Sequence, residues 1–252
     1  MNLYLSGLLW VAGVAAVVAA LAVLFRRFGS DEERLSNNES AGLVFTIVGG
    51  LHAVVTAFVL ISLLDTVKSV GDDSTKEANS IVAVNWAATS FADPVRGKVE
   101  ELTRSYLGTV LNDEWPKLRQ EQDVDEDGWQ KLDELRKVIA EAPAEGHWLE
   151  NRKTEASNQL WEAYQARQSR LDAASGGVST VMWFALILGA VMSALFPFLF
   201  GGPKIIPHIV IVVILTAALT LLLFAIYQLE NPFSGGVKVD PDAFSSALDR
   251  LR

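Results

Sequence analysis

The run with the most recognisable ligand spacing is Asp123-Val124-Asp125-Glu126-Asp127-Gly128, followed by Glu134. Counted from Asp123 it matches an EF-hand loop, with Glu134 in the twelfth place. In such a loop hard carboxylate oxygens converge on Ca²⁺. Gly128 permits the sharp turn, and Glu134 on the following helix closes the shell with two oxygens. Calcium, held by Asp123, Asp125, Asp127 and Glu134, is therefore the one cofactor the sequence raises. Gln130 stands in the eighth place, where such loops carry an apolar side chain, and no second hand is visible. The plain reading is a solvated acidic loop between two helices.

A second candidate is His52, inside the run Gly42 to Leu64, which contains no Lys, Arg, Asp or Glu. At about 100° per residue, one face of a helix there collects Phe45, Gly49, His52, Thr56, Val59, Leu63 and Thr66. Such a stripe of small, polar and narrow apolar side chains either packs against another helix or faces a water-filled axis. An ionisable side chain inside a membrane is by default a functional hypothesis. An imidazole with a pKa of about 6.5 in water would let pH gate a pore. Its plain reading is a neutral ring bonded to a neighbouring helix, and Thr56 and Thr66 can satisfy themselves on carbonyls of their own helix.

Composition narrows the rest. With no cysteine, disulfides, thiolate chemistry and cysteine-based zinc sites are excluded, and the three histidines, His52, His147 and His208, are far apart. No nucleophile with a base, no phosphate-binding loop and no dinucleotide fingerprint is present, so no enzymatic activity is expected. Between residues 65 and 177, 14 Lys and Arg face 22 Asp and Glu, a net charge of -8. Nucleic acid is not an expected partner, since neutralising phosphates needs a basic surface.

Four apolar runs must position these residues: Leu3 to Phe25, Gly42 to Leu64, Val178 to Phe200 and Ile205 to Tyr227. A run of 23 residues makes a helix of roughly 35 Å, enough to cross a hydrocarbon core of about 30 Å. Between the second and third runs, apolar spacing predicts helices over Ser74 to Phe91, Val95 to Gln122, Trp129 to Ala142 and Gly146 to Ala174. The expected architecture is an all-α integral membrane protein with four transmembrane helices and a soluble helical domain between helices two and three. The expected segments are 1–64, 65–177, 178–228 and a tail over 229–252. Arg26 and Arg27 after the first span, with Lys204 in the short loop after the third, favour a cytoplasmic side for those two loops.

This layout carries Asn37-Asn38-Glu39-Ser40, Glu77-Ala78, Glu114-Trp115-Pro116 and Asn231-Pro232-Phe233-Ser234-Gly235. It resembles a bacterial family of unknown function described as bestrophin-like and, more distantly, the bestrophins themselves. Ser234 departs from the Asn-Pro-Phe-Gly motif of bestrophins. The resemblance implies a pentameric, all-helical anion channel in the bacterial inner membrane whose second transmembrane helix lines the pore. The stripe from Phe45 to Thr66 would then be pore-lining, although Phe58, off the stripe, would serve equally as a hydrophobic neck. Expected partners are the lipid membrane, further copies of the chain and inorganic ions. A cation pathway stays open, since carboxylate rings favour cations. The alternative is a membrane-anchored sensor or scaffold whose helical domain binds calcium or a protein and conducts nothing.

Overall fold

The structure, a computed structural model, describes residues 3–28, 38–199 and 205–251. Every regular element among them is a helix: α1 Leu3–Phe28, α2 Asn38–Ala88, α3 Val95–Thr109, α4 Trp115–Arg119, α5 Asp127–Glu141, α6 His147–Ser175, α7 Thr180–Leu195, α8 Ile205–Leu229 and α9 Asp242–Arg250. A π-helical turn, Val110–Glu114, joins α3 to α4, and a 3₁₀ turn, Phe196–Leu199, follows α7. By compactness the chain divides into a first unit, Met1–Leu64 with Val178–Glu230, and a second, Asp65–Gly177 with Asn231–Arg252.

Among the described residues three helices are long and apolar enough to cross a membrane, Gly42–Ala88, Thr180–Phe198 and Ile206–Leu229, and α1 carries a shorter apolar stretch, Leu5–Leu21. One expectation changes. The second span and the first helix after it form a single helix of 51 residues. Residues 65–73 hold no proline and only one glycine, Gly71. A lone glycine costs a helix about 1 kcal/mol, too little to break one anchored on both sides.

In the first unit α7 meets α2 where Gly189 faces His52, since a Cβ at Gly189 would come within 3.0 Å of the imidazole. Phe45 and Phe196 pack edge to face at 6.1 Å along the same pair of helices. Together these two contacts make the pairing antiparallel.

The second unit has a continuous apolar core. Ile81, Val84 and Ala88 of α2, Val99, Leu102 and Tyr106 of α3, Leu132, Leu135 and Ile139 of α5, and Leu160 and Ala163 of α6 are buried in it. Each fully buried Leu or Ile contributes about 1.5–3 kcal/mol relative to exposure. Phe244 and Ala247 of α9 close the same core, and Arg104 Nε donates to the carbonyl of Leu251 at 2.7 Å just beyond that helix. The π turn at Val110–Glu114 inserts one residue into the helical register. It turns Glu114, Trp115 and Leu118 inward. Pro116 follows at the start of α4, where the absent N–H costs little.

Candidate functional site

Four charged side chains and a tyrosine sit at the centre of the second unit. Glu77, Glu114, Arg167 and Arg170 are all buried, and Arg170 and Glu77 are wholly enclosed. Arg170 donates from Nε to Glu77 Oε2 at 2.7 Å and from Nη2 to Glu77 Oε1 at 2.9 Å, a two-pronged pairing. The same Nη2 reaches Glu114 Oε2 at 3.1 Å, and Arg167 Nη1 donates to that oxygen at 2.7 Å. Tyr106 donates its hydroxyl to Glu77 Oε1 at 2.5 Å. Two carboxylates and two guanidinium groups thus balance to zero net charge.

Aromatic rings surround this cluster. Arg167 lies 4.6 Å over the Trp129 ring, and Arg170 lies 5.3 Å from the Phe244 ring and 5.7 Å from that of Trp115. A guanidinium removed from water gains most from an aromatic face. Gly128 is required by the same packing, because a Cβ there would come within 3.0 Å of Glu114 Oε1 and of the Arg167 guanidinium.

Burial alone would raise the Glu114 carboxyl, but the Arg167 hydrogen bond and the Arg170 charge hold it below its ordinary value. For Arg170, burial works toward losing the proton, and the facing Glu77 overrides it, so the guanidinium is more firmly protonated than usual. Tyr106 moves up because it is buried and faces Glu77. The cluster is an electrostatic joint between α2, the π turn and α6.

The short motifs noticed in the sequence converge on this joint. Glu77 and Ala78 come from α2, and Glu114, Trp115 and Pro116 from the π turn and α4. Phe233 is buried with its ring 5.2 Å from that of Trp115, edge to face. Asn231 fixes the segment, accepting from the Phe233 N–H at 2.8 Å through Oδ1 and donating to the Leu118 carbonyl at 3.2 Å through Nδ2. The Val239 N–H then donates to the Pro232 carbonyl at 2.9 Å. Ser234, the departure from the bestrophin pattern, closes the turn with its backbone N–H on the Asn231 carbonyl at 3.2 Å. Of the fourth motif, Asn37 lies outside the described residues, and Asn38, Glu39 and Ser40 begin α2.

The expected pore-lining stripe is largely a packing face within the protomer. His52, Thr56, Val59 and Leu63 are buried, and Phe45, Gly49 and Thr66 are partly so. The opposite side of α2 stays open. Ile47, Leu51, Val54, Phe58 and Ile61 are between 53 and 68 % exposed, and they recur at alternating intervals of four and three. That spacing is the seam of associating helices. It continues into the exposed residues Asp65, Lys68 and Asp72.

The acidic run is not assembled into a metal site. Among the described residues no three of His, Asp or Glu converge on one point. Asp125 pairs with Lys117, and Glu134 lies 3.3 Å from Lys98. The reason is the helix start: α5 begins at Asp127, the fifth place of the pattern, which carries Glu134 two turns up the helix instead of back over the loop. The hydrogen bond from Lys117 to Asp125 raises the lysine above its ordinary value, as the bond to Glu134 does for Lys98. Asp123, Asp125, Asp127 and Glu134 therefore stand apart as surface charges.

Sequence reasoning missed Arg167 and Arg170, although a signal was present. Ala156, Leu160, Ala163, Arg167 and Arg170 recur at threes and fours, so both arginines continue the buried stripe of α6. Glu77 likewise lies in line with Ile81, Val84 and Ala88.

A family model described as the Bestrophin-like domain matches residues 12–244. No curated protein and no solved structure matches. With its apolar helices this makes the chain a membrane protein. The match spans all three motifs gathered around the buried arginines, and the chain belongs to the bestrophin-like family.

Proposed function

We propose that the chain is one protomer of a homo-oligomeric ion channel, pentameric and anion-conducting by family likeness, spanning a bacterial plasma membrane four times. In this reading α1, with its stretch Leu5–Leu21, is the first span, and the chain does no covalent chemistry. The observation that carries it is the two-faced α2. One face is consumed by packing in the protomer, and the other presents a heptad-spaced apolar seam whose residues stay more than half exposed. A ring of such seams would make a narrow apolar neck at Leu51, Val54 and Phe58. The pore-lining role passes from the stripe to this seam, while His52 and Thr56 hold α2 to its neighbours.

Below the seam the same helix enters the buried charge joint at Glu77. The sensor or scaffold alternative draws its calcium arm from the acidic run, whose carboxylates are not assembled. The test is ion flux from purified protein in liposomes under chloride and potassium gradients, with the oligomeric state measured on the same sample. Chloride flux from an oligomer supports the channel. Folded, oligomeric protein that passes no ion under either gradient overturns it.

A further inference from the structure

We infer that the first unit holds one acyl chain of an amine-headgroup phospholipid in a groove walled by α1 and α7 and floored by α8. The groove has a volume of about 710 Å³. Trp10, Val14, Val18 and Leu21 line it from α1, and Trp183, Ile187, Ala194 and Phe198 from α7 and the turn after it. Thr216, Leu219, Leu223 and Tyr227 make the floor. None of the lining residues carries a formal charge.

Its length and lining suit the occupant. From Trp183 to Phe198 the wall runs roughly 22 Å at the helical rise, long enough to take an extended acyl chain lengthwise. Its apolar walls would not hold water.

One end of the groove is suited to a lipid interface. Trp10, Trp183 and Tyr227 gather there, the residue types that sit at the headgroup level of a bilayer. Trp183 Nε1 donates to Glu230 Oε1 at 3.0 Å, three residues past Tyr227. The indole bond fixes a carboxylate at that mouth. Its negative charge complements the ammonium of an ethanolamine headgroup and repels an anionic glycerol headgroup. At the other end Phe198 packs with Val212, Val18, Leu21 and Ile209. The chain therefore enters from the Trp183 end.

This inference rests on the membrane placement of the three helices and not on conduction, so flux measured on the same preparations separates the two. Trp10 and Trp183 are the only tryptophans of the first unit, the other five lying between residues 86 and 161. Bromine on an acyl chain quenches an indole it touches. Full-length protein is loaded with brominated-chain phosphatidylethanolamine or phosphatidylglycerol, then moved into a large excess of unbrominated detergent micelles. Residual quenching is expected with the ethanolamine lipid and severalfold less with the glycerol lipid. Ala194→Phe, which fills the groove, abolishes the residual quenching, whereas Val181→Phe, at a residue 79 % exposed and off the groove, leaves it. Thermal melting confirms that both variants are folded, and Ala194→Leu replaces Ala194→Phe should that one unfold. No residual quenching in the wild type, equal residual quenching in the groove-filling variant, or a larger signal from the glycerol lipid overturns the inference.

Discussion

Arg170 and Glu77 meet through two hydrogen bonds across 93 positions of sequence, both side chains fully enclosed. Breaking such a pair from one side strands a charge in the core. Glu77→Ala is expected to cost about 3–5 kcal/mol, the range for removing one partner of a buried ion pair. The double variant Glu77→Leu with Arg170→Met should cost less than the sum of the two single changes, because neither charge is left behind. Thermal unfolding of full-length protein in detergent reads both. Additive losses would mean that the two side chains act separately.

Glu114 gives the joint a pH dependence of known sign. Its folded carboxyl is held below the ordinary 4.5 by Arg167 and Arg170, against the opposing effect of burial. A depressed carboxyl contributes stability that is fully present above 4.5 and is lost as pH falls through the folded value. Wild-type melting temperature should therefore drop steeply below about pH 4.5, from this carboxyl among others. Glu114→Gln should melt lower at neutral pH and fall less steeply in acid. A parallel acid limb in the variant would remove Glu114 from the account.

Much of the second unit could be read from spacing. The stripe Val99, Leu102, Tyr106 and Val110 is buried as its threes and fours require. What spacing cannot supply is a partner. Glu77 looks like one more position in an α2 stripe until Arg170 arrives from α6, and a carboxylate in an apolar row is legible only as an oddity. The π turn leaves no pattern either, because one inserted residue shifts the register without changing composition. On α2 one stripe was legible as a face, and of the opposite seam only Phe58 stood out. Deciding which one packs needed Gly189, a residue whose only signal is the absence of a side chain.

Gly128 separates the calcium pattern from the packing that replaces it. Gly128→Ala places a methyl among Glu114 Oε1 and the Arg167 guanidinium, and overpacking of this kind costs about 1–3 kcal/mol. Asp123→Asn, at an exposed position, should change the melting temperature little. Neither calcium nor a chelator should shift the melting of wild type or either variant. A calcium-dependent rise abolished by Asp123→Asn would restore the loop as a metal site.

The charged continuation of the α2 seam bears on selectivity. Asp65, Lys68 and Asp72 are exposed and follow the apolar seam at the same intervals. In a ring of protomers, carboxylates at Asp65 would oppose chloride and Lys68 would favour it. Asp65→Asn should raise chloride permeability relative to potassium, and Lys68→Gln should lower it. Reversal potentials in asymmetric salt measure the ratio. Equal ratios in both variants would place this part of the helix away from the ion path.

Phe58 and Val59 are adjacent in sequence and opposite in place, which makes them the sharpest test of which face meets the ions. Phe58 is 68 % exposed on the seam, and Val59 is 9 % exposed against neighbouring helices. Shortening a neck side chain widens the narrowest part of the path, so Phe58→Ala should increase flux with a melting temperature close to wild type. Val59→Ala removes buried carbons from the packing face and should lower stability by about 1–3 kcal/mol. Its unit conductance should stay near wild type, because the removed atoms never faced the axis. Single-channel recording beside thermal melting separates the two quantities. The opposite result, a conductance change confined to Val59→Ala, would return the pore to the stripe of His52 and Thr56 and require the protomer to open that face on assembly.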